Sequence, residues 1–204
     1  MSATSICNIA LTRLGHSQIT DIDTDVSKAG DLCRLHYEGT RDSLLRDHPW
    51  NFAVKRVTLA LSTTTPVFEF TYQHALPTDY LKIVRTSWEA NGWSNKDEAS
   101  REFWDQPSIP YRIEAGFLLC DEETAKIEYI AKITDTAKFD ALFSDVLAQR
   151  LAAELAMPLT DNQSYTKTAW DIYAQKLASA RTADAQEGSA RAVIDDSAWL
   201  MARH

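Results

Sequence analysis

The sequence has little cysteine, glycine or proline and no long apolar run. Each shortage removes a class of protein. Cys7, Cys33 and Cys120 are odd in number and far apart along the chain, so a disulfide framework is not expected and a reducing compartment fits. Six glycines and six prolines among 204 residues exclude a low-complexity chain. No window approaches ~18 uninterrupted apolar residues, so no membrane span is expected. The opening MSATSICNIALTRLGH has neither the basic start nor the long apolar core of a signal peptide. Excess positive charge is missing too. The net charge is −8, and no basic patch is large enough to make phosphate binding the main task.

Chemical signatures are equally scarce. There is no G-x-x-x-x-G-K and no G-x-G-x-x-G, so nucleotide binding is not indicated. There is no G-x-S-x-G, and no histidine stands in a catalytic frame. Asp21-x-Asp23-x-Asp25 starts like a calcium loop, but Val26 takes the place of the required glycine and Leu32 that of the closing glutamate. The segment reads as a turn-forming loop. Cys33-x-x-His36 is half of a zinc pattern whose other half is absent, because Cys7, His16 and Cys120 stand at no ligand spacing. Glu122 and Glu123 sit in an expected turn and read as solubilising. Glu102 and Asp105, among Trp93, Phe103 and Trp104, are the acids best placed for glycan hydrolysis. Surfaces that meet other proteins have the same composition. The expectation is no catalytic residue, no metal ligand and no cofactor.

What is present is an ordinary globular composition, 45% hydrophobic and 25% charged, long enough for one domain or two small ones. Apolar spacing predicts a first helix from about Thr4 to Gly15, capped by Ser2 or Thr4, and a second from Lys28 to Asp47, ended by Pro49. From Phe52 the period becomes two. Strands are expected in FAVKRVTLAL, in VFEFTYQHA, over Tyr80–Val84, on both sides of the Glu114-Ala115-Gly116 turn, and in AKIEYIAKI. Together they predict one antiparallel sheet of about five strands or more. Trp88 to Pro110 reads as a long loop. Helical spacing returns behind Asp135 and runs to Pro158, and a last helix spans Asn162 to Asp184 behind Thr160 or Asp161. The tail has no clean period and ends in an apolar cluster.

The expected fold is therefore α+β: a four-helix part, residues 1–50 plus 135–186, with an inserted antiparallel β part, 51–134, and an extended C-terminal arm, 187–204. Pro49, Trp50 and Phe52 are expected at the joint between the helical and sheet parts. Tryptophan in a long loop or on a tail is costly to leave in water and typical of interface anchors, so Trp88, Trp93 and Trp104 are candidates for a loop interface. Trp199, Leu200, Met201 and Arg203 are candidates for contact with a neighbour.

The order of NIALTRLG, ITDID, CRLHYEGTRDSLLRDHPWNFA, HALPTDYLKIVR, IEYIAKITDTAKFDALFSDVLAQRLAAELAMPLT and DDSAWLMAR resembles the tail tubular protein A family, the head-to-tail adaptors (connectors) of short-tailed bacteriophages. The likeness covers nearly the whole chain. It implies a non-enzymatic virion protein, assembled in the bacterial host cytoplasm at the head–tail junction. It implies a homo-oligomeric ring, usually a dodecamer, between the portal protein and the tail nozzle protein, with a tail fibre or tailspike as a further neighbour. DNA would pass through the lumen without specific binding, and a charge of −8 repeated around the ring suits a channel that must not hold phosphate. The arm would reach the portal or an adjacent subunit. The alternative is a virion-associated hydrolase of peptidoglycan or capsule, with Glu102 and Asp105 as its acids.

Overall fold

A computed structural model describes residues 1–88 and 110–187. It shows an α+β chain of four helices and antiparallel sheets. Helix α1 (Ala3–Arg13) starts where the Ser2 hydroxyl accepts from the Ser5 N–H, and it turns out through Gly15 in the left-handed region. Helix α2 (Lys28–Asp47) starts at Ser27, whose hydroxyl accepts from the Gly30 N–H. It stops because Pro49 forces His48 into extended geometry, at φ −143° and ψ 143°.

The chain then makes one 3₁₀ turn, Asn51–Ala53, where strand geometry was expected from Phe52 onward. Strand β1 (Val54–Thr58) follows, then β2 (Ala60–Leu61), β3 (Tyr72–Ala75), β4 (Tyr80–Trp88), β5 (Arg112–Glu114), β6 (Phe117–Cys120) and β7 (Ala125–Ala131). These strands form two sheets, not the single sheet expected. One has the order β1-β7-β4 and the other β2-β3-β6-β5, all antiparallel. The split falls at Leu59. Its N–H bonds to the Ala125 carbonyl at the end of the β1–β7 ladder, its side chain is buried, and the next two residues pair with β3 instead. The stretch from Val67 to Phe70 is not a strand: Val67 is 96% exposed and Phe68 stands in solvent. The β5–β6 hairpin has Ala115 at φ 46° and Gly116 at φ 84°, the signature of a two-residue type I′ turn.

Asp135 caps only a short 3₁₀ turn, Thr136–Lys138, and the cap of helix α3 (Ala141–Thr160) is Asp140. α3 passes through Pro158 instead of ending there. Pro158 lies in the last turn, so only the bond back to the Glu154 carbonyl is forgone. Closure comes from Asp161, left-handed at φ 50°, whose N–H bonds to the Met157 carbonyl. Helix α4 (Gln163–Gln186) is capped by the Asn162 side chain, not by Thr160 or Asp161.

α3 is the central helix, packed on α1, α2 and α4. It buries Phe143, Val146, Leu147, Leu151 and Leu155, with Ala148, Ala152, Ala153 and Ala156 allowing close approach. One buried cluster runs from these residues into Ile127, Tyr129 and Ile130 of β7. Among the described residues, no helix is long and apolar enough to cross a membrane.

Candidate functional site

The turn after α2 brings α2, α3 and α4 together. Trp50 is 1% exposed. Its indole N–H donates to the Leu44 carbonyl at 3.0 Å. Leu44 is in the last turn of α2, where carbonyls have no helical partner, so the ring caps the helix from which its own chain has just left. The indole meets Phe143 of α3 edge-on at 5.2 Å and His48 at 4.9 Å. Phe52 stacks edge-on against Phe143 at 5.0 Å and reaches Phe139. Trp50 and Phe52 both reach α3 from this turn, each meeting Phe143. Pro49 therefore sits between the last turn of α2 and the aromatic cluster of Trp50, Phe52, Phe139 and Phe143.

The end of α4 is tied to the same turn. The Asp184 carboxylate accepts from the Asn51 backbone N–H at 3.1 Å and faces His48 Nε2 at 3.0 Å, while the Asn51 side-chain amide donates to the Asp184 carbonyl at 2.7 Å. A His–Asp pair is two parts of a nucleophile-activating relay. Among the described residues, no hydroxyl or thiol hydrogen-bonds to His48, so the pair acts as a fastening. α2 is also held to the first sheet: Arg46 donates to the Leu81 carbonyl at 2.5 Å, and Asp42 pairs with Lys132 at 2.8 Å.

Two further clamps hold the helices. Asp145 of α3 binds Arg13 of α1 and, at 2.5 Å, Lys176 of α4. Burial pushes the Asp145 carboxyl up, but the Lys176 hydrogen bond and the Arg13 charge outweigh it and hold it below the usual carboxylate range. Arg150 of α3 donates to the Ser43 hydroxyl at 2.8 Å and lies over the Tyr173 ring.

The outer side of α4 is different. This 24-residue helix buries only Ala169, Tyr173 and Ala180. Tyr165, Trp170 and Ile172 flank that narrow stripe at 41%, 38% and 39% exposure. A cleft of about 210 Å³ opens beside them, lined by Leu14, Gln149, Ala152, Tyr165, Ile172 and Lys176. Cofactor pockets run to roughly 300–1,000 Å³, so the cleft suits a side chain better than a cofactor.

The other candidates are placed as follows. Asp21 and Asp25 spend their carboxylates on the loop itself, accepting from the N–H groups of Asp23, Thr20 and Ser27. Cys33 is buried, and its neighbour is Cys7 of α1, not His36. Among the described residues, no group of three or more histidine, cysteine, aspartate or glutamate side chains could hold a metal ion. Trp88 is the last residue of β4, opposite Ala125. Trp93, Glu102, Trp104, Asp105, Trp199, Leu200, Met201 and Arg203 lie outside the described residues.

No family model and no curated protein matches the chain. Sequence reasoning missed Asp184, Asp145 and the exposed flank of α4. The acids look like ordinary solvated positions on amphipathic helices. The flank had a signal, since Tyr165, Ala169, Ile172, Tyr173, Lys176, Leu177 and Ala180 recur at helical spacing, a stripe wider than the one α4 buries.

Proposed function

We propose that the chain is a structural, ring-forming head-to-tail adaptor of a phage virion. In this reading it docks on a portal, extends the DNA channel and carries the tail nozzle. The observation that carries the reading is the outer face of α4. A long helix that buries three residues and leaves a tyrosine, a tryptophan and an isoleucine about two-fifths exposed has an apolar surface suited to a neighbouring subunit. The joint supports the same reading. Aromatic packing, the Trp50 cap and the Asp184 fastening lock the sheets to the helices, as a part that works by shape requires. Heterologous contacts of one face with a different face of the next copy close a ring when the rotation allows it.

Mass photometry of the full chain, alone and with purified portal rings of short-tailed phages, tests the reading. A discrete ring-sized mass step on the portal is expected, lost in the Tyr165→Glu/Ile172→Glu double variant that still folds. A wild-type chain that neither self-associates nor binds any portal ring would overturn it.

A further inference from the structure

The loop between β2 and β3 displays two adjacent apolar side chains to solvent. Val67 is 96% exposed and Phe68 77%. Specific bonds hold the loop in shape. The Phe70 N–H bonds to the Phe68 carbonyl at 2.9 Å across Glu69, whose φ is 73°. That bond and that φ mark a γ-turn of the left-handed kind, which is rare and strained for an L residue. The turn is pinned to β5 and to the end of β6. Glu69 pairs with Arg112 at 3.0 Å, and the Thr71 N–H and hydroxyl both donate to the Asp121 carboxylate at 2.9 Å. At the other end of the loop, the Ser62 hydroxyl accepts from the Thr64 N–H and from the Gln73 amide. A lone exposed hydrophobe is ordinary on a protein surface. Two side by side on a pinned, strained turn form an anchor that is ready-shaped before any partner arrives.

We propose that this loop docks on the β1-β7-β4 sheet of a second copy of the chain. Charge selects the occupant. Residues 60–77 and 110–124, which hold the β2-β3-β6-β5 sheet, carry Glu69, Glu114, Asp121, Glu122 and Glu123 against the single cation of Arg112. Among the described residues, the β1-β7-β4 sheet has a part of opposite sign. Arg56, Lys82 and Arg85 stand round Glu128, with Arg56 and Lys82 exposed and Arg85 half-buried. An irregularity between Ile83 and Arg85 leaves Val84 without a partner on β7 and 39% exposed beside those cations. Val84 gives Phe68 an apolar contact, and the cations meet the acids around the loop. The two surfaces are different parts of one chain, so the contact is heterologous and repeats from copy to copy. It is separate from the outer face of α4. The choice of a second copy as occupant rests on the ring-forming reading above.

The test uses the full chain with the photo-crosslinking residue p-benzoylphenylalanine in place of Phe68. Unlabelled and heavy-nitrogen-labelled chains are mixed, irradiated at high concentration in solution and again on purified portal rings, and mapped by mass spectrometry. The expected result is mixed-isotope links from position 68 to Val54–Thr58 or Tyr80–Trp88. Their yield should fall severalfold from low to high salt as the charges are screened. Lys82→Glu and Glu123→Lys should each lower the yield by roughly two- to fivefold, and the two together should restore it. Phe68→Ser should weaken self-association by roughly tenfold or more in sedimentation velocity and leave Tm unchanged. Links within one chain, links to residues 188–204, to α4 or to the portal protein, a yield that ignores salt, or no link in either setting would each overturn the proposal. Links to the sheet of a second copy from a chain that binds no portal would keep this contact and remove the adaptor reading. A chain that steps onto the portal while position 68 links elsewhere would do the reverse.

Discussion

Replacing Trp50 with alanine is the strongest single test of the joint. The ring is buried against Phe143 and His48, and truncating a large buried aromatic costs about 3–5 kcal/mol. The Leu44 carbonyl loses its donor as well. An orphaned buried acceptor adds about 1–3 kcal/mol, and the lower end applies if water enters the cavity. The sum, about 4–6 kcal/mol, is a large part of the roughly 5–15 kcal/mol of a whole domain. With a urea m-value near the top of the common range, about 2.5 kcal/mol/M, the unfolding midpoint should fall by roughly 1.5–2.5 M. Trp50→Phe separates the two contributions. It keeps an aromatic ring against Phe143 and loses only the cap and some volume, so a loss of about 1–2.5 kcal/mol is expected. Urea titration followed by far-UV circular dichroism reads both variants without depending on tryptophan emission. A midpoint shift below about 0.5 M for Trp50→Ala would show that the ring does not hold the isolated chain together, and the joint would then have to be explained as a surface for another subunit.

Asp145 should make stability pH-dependent in one direction. Its folded pKa is lowered, so its contribution is present above the unfolded value of about 3.9 and is lost as pH falls through the lower folded value. The gap in urea midpoint between wild type and Asp145→Asn should be constant from neutral pH down to about 5 and close below about 4; a gap that persists in acid would assign the clamp to packing, not charge. At the β5–β6 turn, Ala115 holds a left-handed φ of 46° that asparagine tolerates better, so Ala115→Asn should stabilise by about 0.5–1 kcal/mol in thermal unfolding, while Gly116→Ala, at φ 84°, should destabilise.

The helices were legible because their ends are written in single residues. Ser27 and Pro49 delimit α2, and the expected and observed bounds agree. Pro158 misled because proline breaks a helix through the bond four residues back, and near the C-terminus that bond is one of the last. The strands were legible as strands but not as sheets. Alternation in FAVKRVTLAL tells which side chains share a face; it does not tell that Val54–Thr58 pairs with β7 while Ala60–Leu61 pairs with β3. Asp184 and Cys7 were illegible for a related reason. Their partners lie 133 and 26 positions away, and only the packing of α1, α2 and α4 round α3 brings each pair together.

The distribution of charge limits how an adaptor of this chain can be oriented. A net charge of −8 per chain suits a DNA channel only if the acids face it. Among the described residues, the polar face of the β1-β7-β4 sheet carries Arg56, Lys82 and Arg85 around the carboxylate of Glu128. Glu128 bonds to both arginines, at 2.6 Å to Arg85 and 3.3 Å to Arg56, and these bonds outweigh burial and keep it ionised below its usual range. Among the described residues, three cations round one anion leave this part of the face positive, and a lumen lined with it would bind the phosphates it must let pass. The opposite sign gathers in the loop between α1 and α2 and in the first turn of α2, where Asp21, Asp23, Asp25 and Asp31 stand close in sequence, with Asp21 and Asp25 fixed by backbone N–H groups. The adaptor reading therefore requires the sheet to face away from the channel, towards acidic protein surfaces, and the same joint that fixes the sheet to the helices fixes which charge each side presents.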